Sequence, residues 1–133
     1  DLVFIEQSNQ GSGMSSMKGQ EFIHFAVLAQ IKANGYALRT NYVYSSSWRS
    51  ACGLKMTKEQ RAHNKLVKAG AARGKIRSKH LAVQWANQTY GLSLLMKDED
   101  AADAIGIAHG GYELWKRKLA ADNGKSSVDQ AFT

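Results

Sequence analysis

Two aspartates three residues apart open the last regular segment of the chain. In Lys97-Asp-Glu-Asp100-Ala-Ala-Asp103-Ala-Ile-Gly-Ile-Ala-His109-Gly-Gly, Asp100 and Asp103 fall on one helical face with Ile107 a turn further on. Acids in a first helical turn are ordinary, because they complement the dipole, and Asp98 is a good N-cap. The neighbours are less ordinary. Ala101, Ala102, Ala104, Ile105, Gly106, Ile107 and Ala108 make the helix start small and apolar all round, as in a helix packed closely on a sheet. Carboxylates in such surroundings need a cation or another partner. Glu6, at the end of the apolar run Leu2-Val-Phe-Ile, is a third carboxylate. If the last helix packs beside that run, Glu6, Asp100 and Asp103 converge, and an all-oxygen cluster suits Mg²⁺ or Mn²⁺ rather than zinc. Two such ions clamp the attacking and leaving oxygens of a phosphodiester, so phosphodiester hydrolysis is the reaction this set suggests.

The second chemical feature is charge. Lys55, Lys58, Arg61, Lys65, Lys68, Arg73, Lys75, Arg77 and Lys79 are half of the 18 lysines and arginines, against Glu59 as the single acid between them. Lys58, Arg61, Lys65 and Lys68 recur at three- and four-residue spacing and form one stripe that can follow a phosphate backbone. A solvated helix face usually carries both signs, and this one nearly lacks acids. The net charge of +7 points the same way, toward a polyanionic partner.

Other candidates carry less. Gly70-Ala-Ala-Arg-Gly74-Lys75 is one residue short of a phosphate loop and has no Ser or Thr after the lysine. Cys52, the only cysteine, reads as a small buried hydrophobe. His24 reads as a packing residue, His63 as a surface residue and His80 as a phosphate contact. His109 fits either the carboxylate site or helix packing. Trp85 and Trp115 sit in amphipathic patterns and read as core. Trp48 is either core or a platform for an unpaired base.

The elements that must position these residues follow from pattern. Leu2 to Ile5 reads as a strand buried on both faces, ending in Glu6. After the loop Ser8 to Ser16, an apolar helix runs from Met17 to Asn34 before Gly35, with apolar residues around most of its circumference, and is expected to be largely buried. Tyr36 to Tyr44 reads as a second strand, ended by Ser45 to Ser47. Thr57 and Gln60 have capping-box spacing and open a polar helix fading around Gly70 to Gly74. Ser78 caps a helix to Tyr90, with Gly91 ending it. The last helix runs from near Asp98 through Leu119, and residues 122–133 read as a frayed tail. The order is strand, helix, strand, then three helices. Two strands are few for a stable sheet, so further strands are expected before residue 1 or from a second chain.

With these pieces in place, the chain resembles the RuvC-like Holliday junction resolvases. Leu2-Val-Phe-Ile-Glu6-Gln7 is similar to their second acidic motif, a strand ending in Ile-Glu-Gln. Asp100-Ala-Ala-Asp103-Ala-Ile-Gly-Ile-Ala-His109 is similar to their final motif. The resemblance spans roughly residues 1 to 112. It implies an α/β, RNase H-like fold, a mixed sheet flanked by helices, and a Mg²⁺- or Mn²⁺-dependent endodeoxyribonuclease. Such an enzyme, usually a homodimer, nicks four-way DNA junctions in recombination and repair. Glu6, Asp100 and Asp103 then become metal ligands, and Lys79 resembles a family lysine near the scissile phosphate. Trp48-Arg49-Ser50 resembles a segment of phage-type members in which a basic residue faces DNA. Arg49 therefore joins Lys58, Arg61, Lys65, Lys68, Arg73, Lys75, Arg77 and Lys79 as an expected DNA contact. The family's first acidic residue, an aspartate in the first strand, has no counterpart here. Asp1 is five residues from Glu6 along an extended strand, roughly 16 Å away, and points to the other face.

At 133 residues the chain suits one domain, expected over 1–121, and no apolar stretch is long enough to cross a membrane. The first residues lack the basic flank and small-residue site of a signal peptide, which makes the cytoplasm the expected compartment. A different class of function also fits: a non-catalytic DNA-binding or dimerisation module derived from such a nuclease.

Overall fold

The computed structural model describes residues 2–7, 14–37 and 39–131. It is a mixed α/β chain, mostly helical, with a small parallel sheet of two strands. The strands are β1 (Leu2–Glu6) and β2 (Arg39–Val43), joined through helix α1 (Met14–Ala33). Phe4 pairs with Asn41 and Glu6 with Val43, and the Gln7 N–H extends the ladder to the Val43 carbonyl at 2.7 Å. Helices α2 (Ser45–Ala51), α3 (Lys58–Lys68), α4 (Ser78–Tyr90) and α5 (Glu99–Ala131) follow.

The centre of the packing is α5, against which α2, α4 and both strands lie. Three glycines make this approach close. A Cβ at Gly110 would stand 2.7 Å from the Trp48 carbonyl oxygen and one at Gly111 2.6 Å from the Phe4 ring, while Gly106 faces the Trp48 indole at similarly short range. Trp48 and Val83, both fully buried, anchor a core completed by Ala82, Ala86, Ala102, Val43 and Leu54. Burying an indole and branched side chains against small residues yields the main hydrophobic stabilisation, on the order of 2–3 kcal/mol per large side chain.

The cap signals of the sequence act as expected at two ends. Thr57 and Gln60 form a complete capping box, with Oγ1 accepting from the Gln60 N–H at 3.1 Å and Oε1 accepting from the Thr57 N–H at 2.9 Å. Gly91 ends α4 at φ 63°, in the left-handed region a side chain disfavours.

Other expectations need correction. Residues 45–51 form α2 rather than the end of a strand: once the chain leaves β2 at Val43, the buried Trp48 holds a short helix against α5. Helix α1 starts at Met14 and is exposed, with Phe22 and Phe25 more than 70% accessible (73% and 72%), because the elements gather around α5. Leu2 to Glu6 is half-buried along its length, having β2 on one edge and α5 on one face. Ser78 is the first residue of α4 and does not cap it; Arg77 stands at the cap position without a side-chain bond. Helix α5 continues through Ala131, past the expected tail boundary at 122. Asp1, residues 8–13 of the expected loop, Leu38 of the expected second strand, and the last two residues lie outside the described residues.

Candidate functional site

Four segments distant in sequence meet beside the start of α5. Close contact between Trp48 and the glycine face of α5 brings the end of β1 and the neighbouring Arg49 to Asp103. The Trp48 Nε1–H, which must find an acceptor when its indole is buried, donates to Glu6 Oε2 at 2.7 Å. The Arg49 guanidinium lies over the same indole, 4.3 Å from the ring centroid, and its Nη2 reaches Asp103 Oδ1 at 3.0 Å. Two longer contacts, Nη1 to the Ser78 carbonyl and Nε to Ser45 Oγ, both at 3.4 Å, tie it to the start of α4 and to its own helix. Glu6, Trp48, Arg49 and Asp103 thus form one chain of contacts linking β1, α2 and α5.

Electrostatics follow from that geometry. Burial pushes the Asp103 carboxyl above its ordinary value; Arg49 and Lys79 pull it down, and the negative charge of Glu6 pushes it up again. Lys79 opens out from the first turn of α4, half exposed, and meets Glu99 Oε1 at 3.4 Å and Asp100 Oδ1 at 3.5 Å. Hydrogen bonding to Glu99 holds its ammonium above the ordinary lysine value, so it is charged throughout the physiological range.

The structure therefore brings Glu6, Asp103, Lys79 and Arg49 to one region. Asp100 is beside it with its side chain 97% exposed, facing Lys79 rather than sharing Asp103's environment. Among the described residues no three histidine, cysteine, aspartate or glutamate side chains are close enough to hold one metal ion. The donor set as it stands offers Glu6 and Asp103, each already bonded to a neighbouring side chain, and does not make a complete site for Mg²⁺ or Mn²⁺. Arg49, expected to face DNA, is turned inward, its side chain 17% exposed. Trp48 is core, which removes it as a base-stacking platform. His109 packs between helices: its Nδ1 is 2.6 Å from the Tyr90 hydroxyl and its ring stands edge-on to Trp85. Six residues beyond Asp103, it points to another side of α5.

Sequence reasoning missed Glu99 as the nearest partner of Lys79 and missed the structural role of Gly106, Gly110 and Gly111. Their spacing, four residues and then one, was the available signal, since small residues on one helix face let another backbone approach.

The basic residues form a separate surface. Lys58, Arg61, Lys65 and Lys68 are all exposed along α3, and Arg73, Lys75 and Arg77 are exposed on the segment that follows. Asn64 joins the two: its Oδ1 accepts from the Ile76 N–H at 2.8 Å and its Nδ2 donates to the Ile76 carbonyl at 2.9 Å. His63 Nε2 lies 2.9 Å from the Gly74 carbonyl, and a carbonyl oxygen can only accept, so this nitrogen carries the proton.

Compared with models of protein families, with curated proteins and with solved structures, the chain matches none. No described helix is long and apolar enough to cross a membrane.

Proposed function

We propose that this chain acts on branched DNA as a RuvC-like, RNase H-like endonuclease domain, cleaving phosphodiester bonds at four-way junctions in recombination and repair. One observation carries the reading. Glu6, Lys79 and Asp103, chosen for chemistry from segments more than twenty residues apart, lie in one region beside a strongly basic surface.

The roles follow from charge and position. Lys79, half exposed and cationic, is placed to offset charge developing on a phosphate. Arg49 fixes the Asp103 carboxylate, and Trp48 fixes Glu6, so that the two acids are oriented before a ligand arrives. The exposed basic residues of 58–77 hold DNA backbones. Mg²⁺ or Mn²⁺ is the cofactor this class of chemistry calls for, and Glu6 and Asp103 would supply part of its ligand set, the remaining donors coming from elsewhere. A homodimer in the cytoplasm is the expected working form, the exposed apolar side chains of α1 giving it a surface on which to pair.

A second reading rests on Arg49. It supplies at Asp103 the positive charge a metal would otherwise bring, which favours a DNA-binding module that retains the carboxylates for structure. Cleavage of a synthetic four-way junction in Mg²⁺, by the full natural protein and by its Asp103→Asn variant, separates the two. Nicking that the variant loses establishes the enzyme; tight binding with no nicking by either leaves the binding module.

A further inference from the structure

We infer that Asn64 is a positioning residue that clamps residues 74–77 against α3, creating a preformed track for one phosphodiester strand of DNA that leads toward Lys79. The inference rests on the nucleic-acid reading above for its ligand and on the clamp geometry for its shape.

Two grooves meet at the clamp. The first, of about 450 Å³, is lined by Arg61, Asn64, Lys65, Val67, Lys68 and Lys75. Val67 is the one apolar residue in this lining and the cations add aliphatic stems, which suits sugar edges, while charged heads suit phosphate oxygens. The second, of about 380 Å³, shares Asn64 and Lys75 with the first and continues past Ile76 and Arg77 to Lys79 and Glu99. The path from the helical stripe to the edge of the Asp103 site is therefore continuous along the surface.

Two side chains of α3 hold the segment, His63 by one bond to the Gly74 carbonyl and Asn64 by two to the backbone of Ile76, so Asn64 is the larger part of the tie. Residues 71–77 have no regular structure, follow Gly70 and include Gly74, both at positive φ (77° and 80°), so the backbone there depends on side chains for its course. Asn64 satisfies both backbone polar groups of Ile76, and its Nδ2 also lies 3.6 Å from Met56 Sδ, on the segment entering α3. A paired amide of this kind fixes direction as well as distance. With it, Lys75 stands beside Lys65 and Lys68; released, Lys75 would trade a fixed position for the conformational freedom of a loop. Among anions, a chain of regularly spaced phosphates fits a row of cations held at fixed positions along a path, and DNA is the form of that chain the site is expected to meet.

The test reads binding, so its failure is distinct from failure of the cleavage reading. A fluorescent four-way DNA junction is titrated with the full protein, Asn64→Leu, Lys75→Ala and the double variant, at salt from about 50 to 200 mM. Asn64→Leu alters no charge, yet it is expected to weaken binding about tenfold and to flatten the log K against log salt slope by about one phosphate contact or more. Lys75→Ala, at an exposed side chain, is expected to lower the slope by about one and to cost little further in the Asn64→Leu background. Native affinity and slope in Asn64→Leu, or full additivity of the two changes, overturns the clamp. Should Asn64→Leu fail to fold by circular dichroism, a native slope in Lys75→Ala alone overturns the track. Heparin binding that responds to the variants as DNA does would reduce the groove to a general anion surface and overturn its assignment to a phosphodiester strand.

Discussion

Asp103 is a carboxylate whose surroundings oppose its charge and whose neighbour restores it. Because burial raises its folded-state value above the ordinary 3.8, its contribution to stability is fully present below that pH and is lost as pH rises through the higher folded value. The stability of Asp103→Asn relative to wild type should therefore increase from acid to neutral pH, measured by denaturant unfolding across a pH series; a difference flat with pH would contradict the assignment. Arg49 acts in the other direction. Removing it leaves a mostly buried carboxylate without its cation, so Arg49→Ala should cost about 1–3 kcal/mol at neutral pH. That loss should shrink as pH falls through the raised folded-state value of Asp103, where the carboxyl takes up a proton and no longer needs a cation. Of these residue-scale features, the acids and their spacing were legible in the sequence, whereas the inward turn of Arg49 was not. A basic residue after a strand has the same local pattern whether it faces a partner molecule or an aspartate fifty-four positions away.

At the scale of elements, the site depends on how near α2 and β1 come to α5. Gly106 sits under the Trp48 ring, and a methyl group there would collide with it, so Gly106→Ala should destabilise by about 1–3 kcal/mol despite the better helix propensity of alanine. Gly19, in α1 with open space around its Cα, provides the contrast: Gly19→Ala should leave thermal stability unchanged or raise it. Equal effects at the two glycines would show that close approach at Trp48 is not what positions the site. The start of α3 and the end of α4 were readable from caps, and the course of α3, α4 and α5 from periodicity, because those signals act within a few residues; the start of α4 and the end of α5 were not. Helix α2 was not, since seven residues rich in serine have no strong helical preference, and the buried Trp48 that holds them is a long-range contact.

For the molecule as a whole, two surfaces stand apart from the core: the basic track on one element pair and the apolar length of α1 on another. Phe22, Ile23, Phe25 and Val27 are all more than half exposed, which is unusual for a contiguous run on a monomeric surface. If pairing of copies covers it, as the proposed homodimer requires, Phe22→Asp with Phe25→Asp should lower the sedimentation-derived mass to that of one chain while leaving helix content intact. An unchanged mass would move the pairing surface elsewhere. The expectation that α1 is buried failed for a reason of the same scale. Apolar residues around a helix state that it prefers cover, but not which element or chain provides it.

Read alone, the sequence determined the acids at Glu6, Asp100 and Asp103, the single-signed charge of residues 55–79, the helix ends at Thr57 and Gly91, and an alternation of strands and helices. Each of these is set by residue identity or by neighbours within a turn or two. Tertiary structure alone decided that Trp48 is core, that Arg49 neutralises Asp103, that Asp100 faces solvent beside Lys79, and that His109 packs on Tyr90 and Trp85. Those outcomes depend on which faces meet around α5, a matter of close packing between residues far apart in the chain, and local pattern carries no record of it.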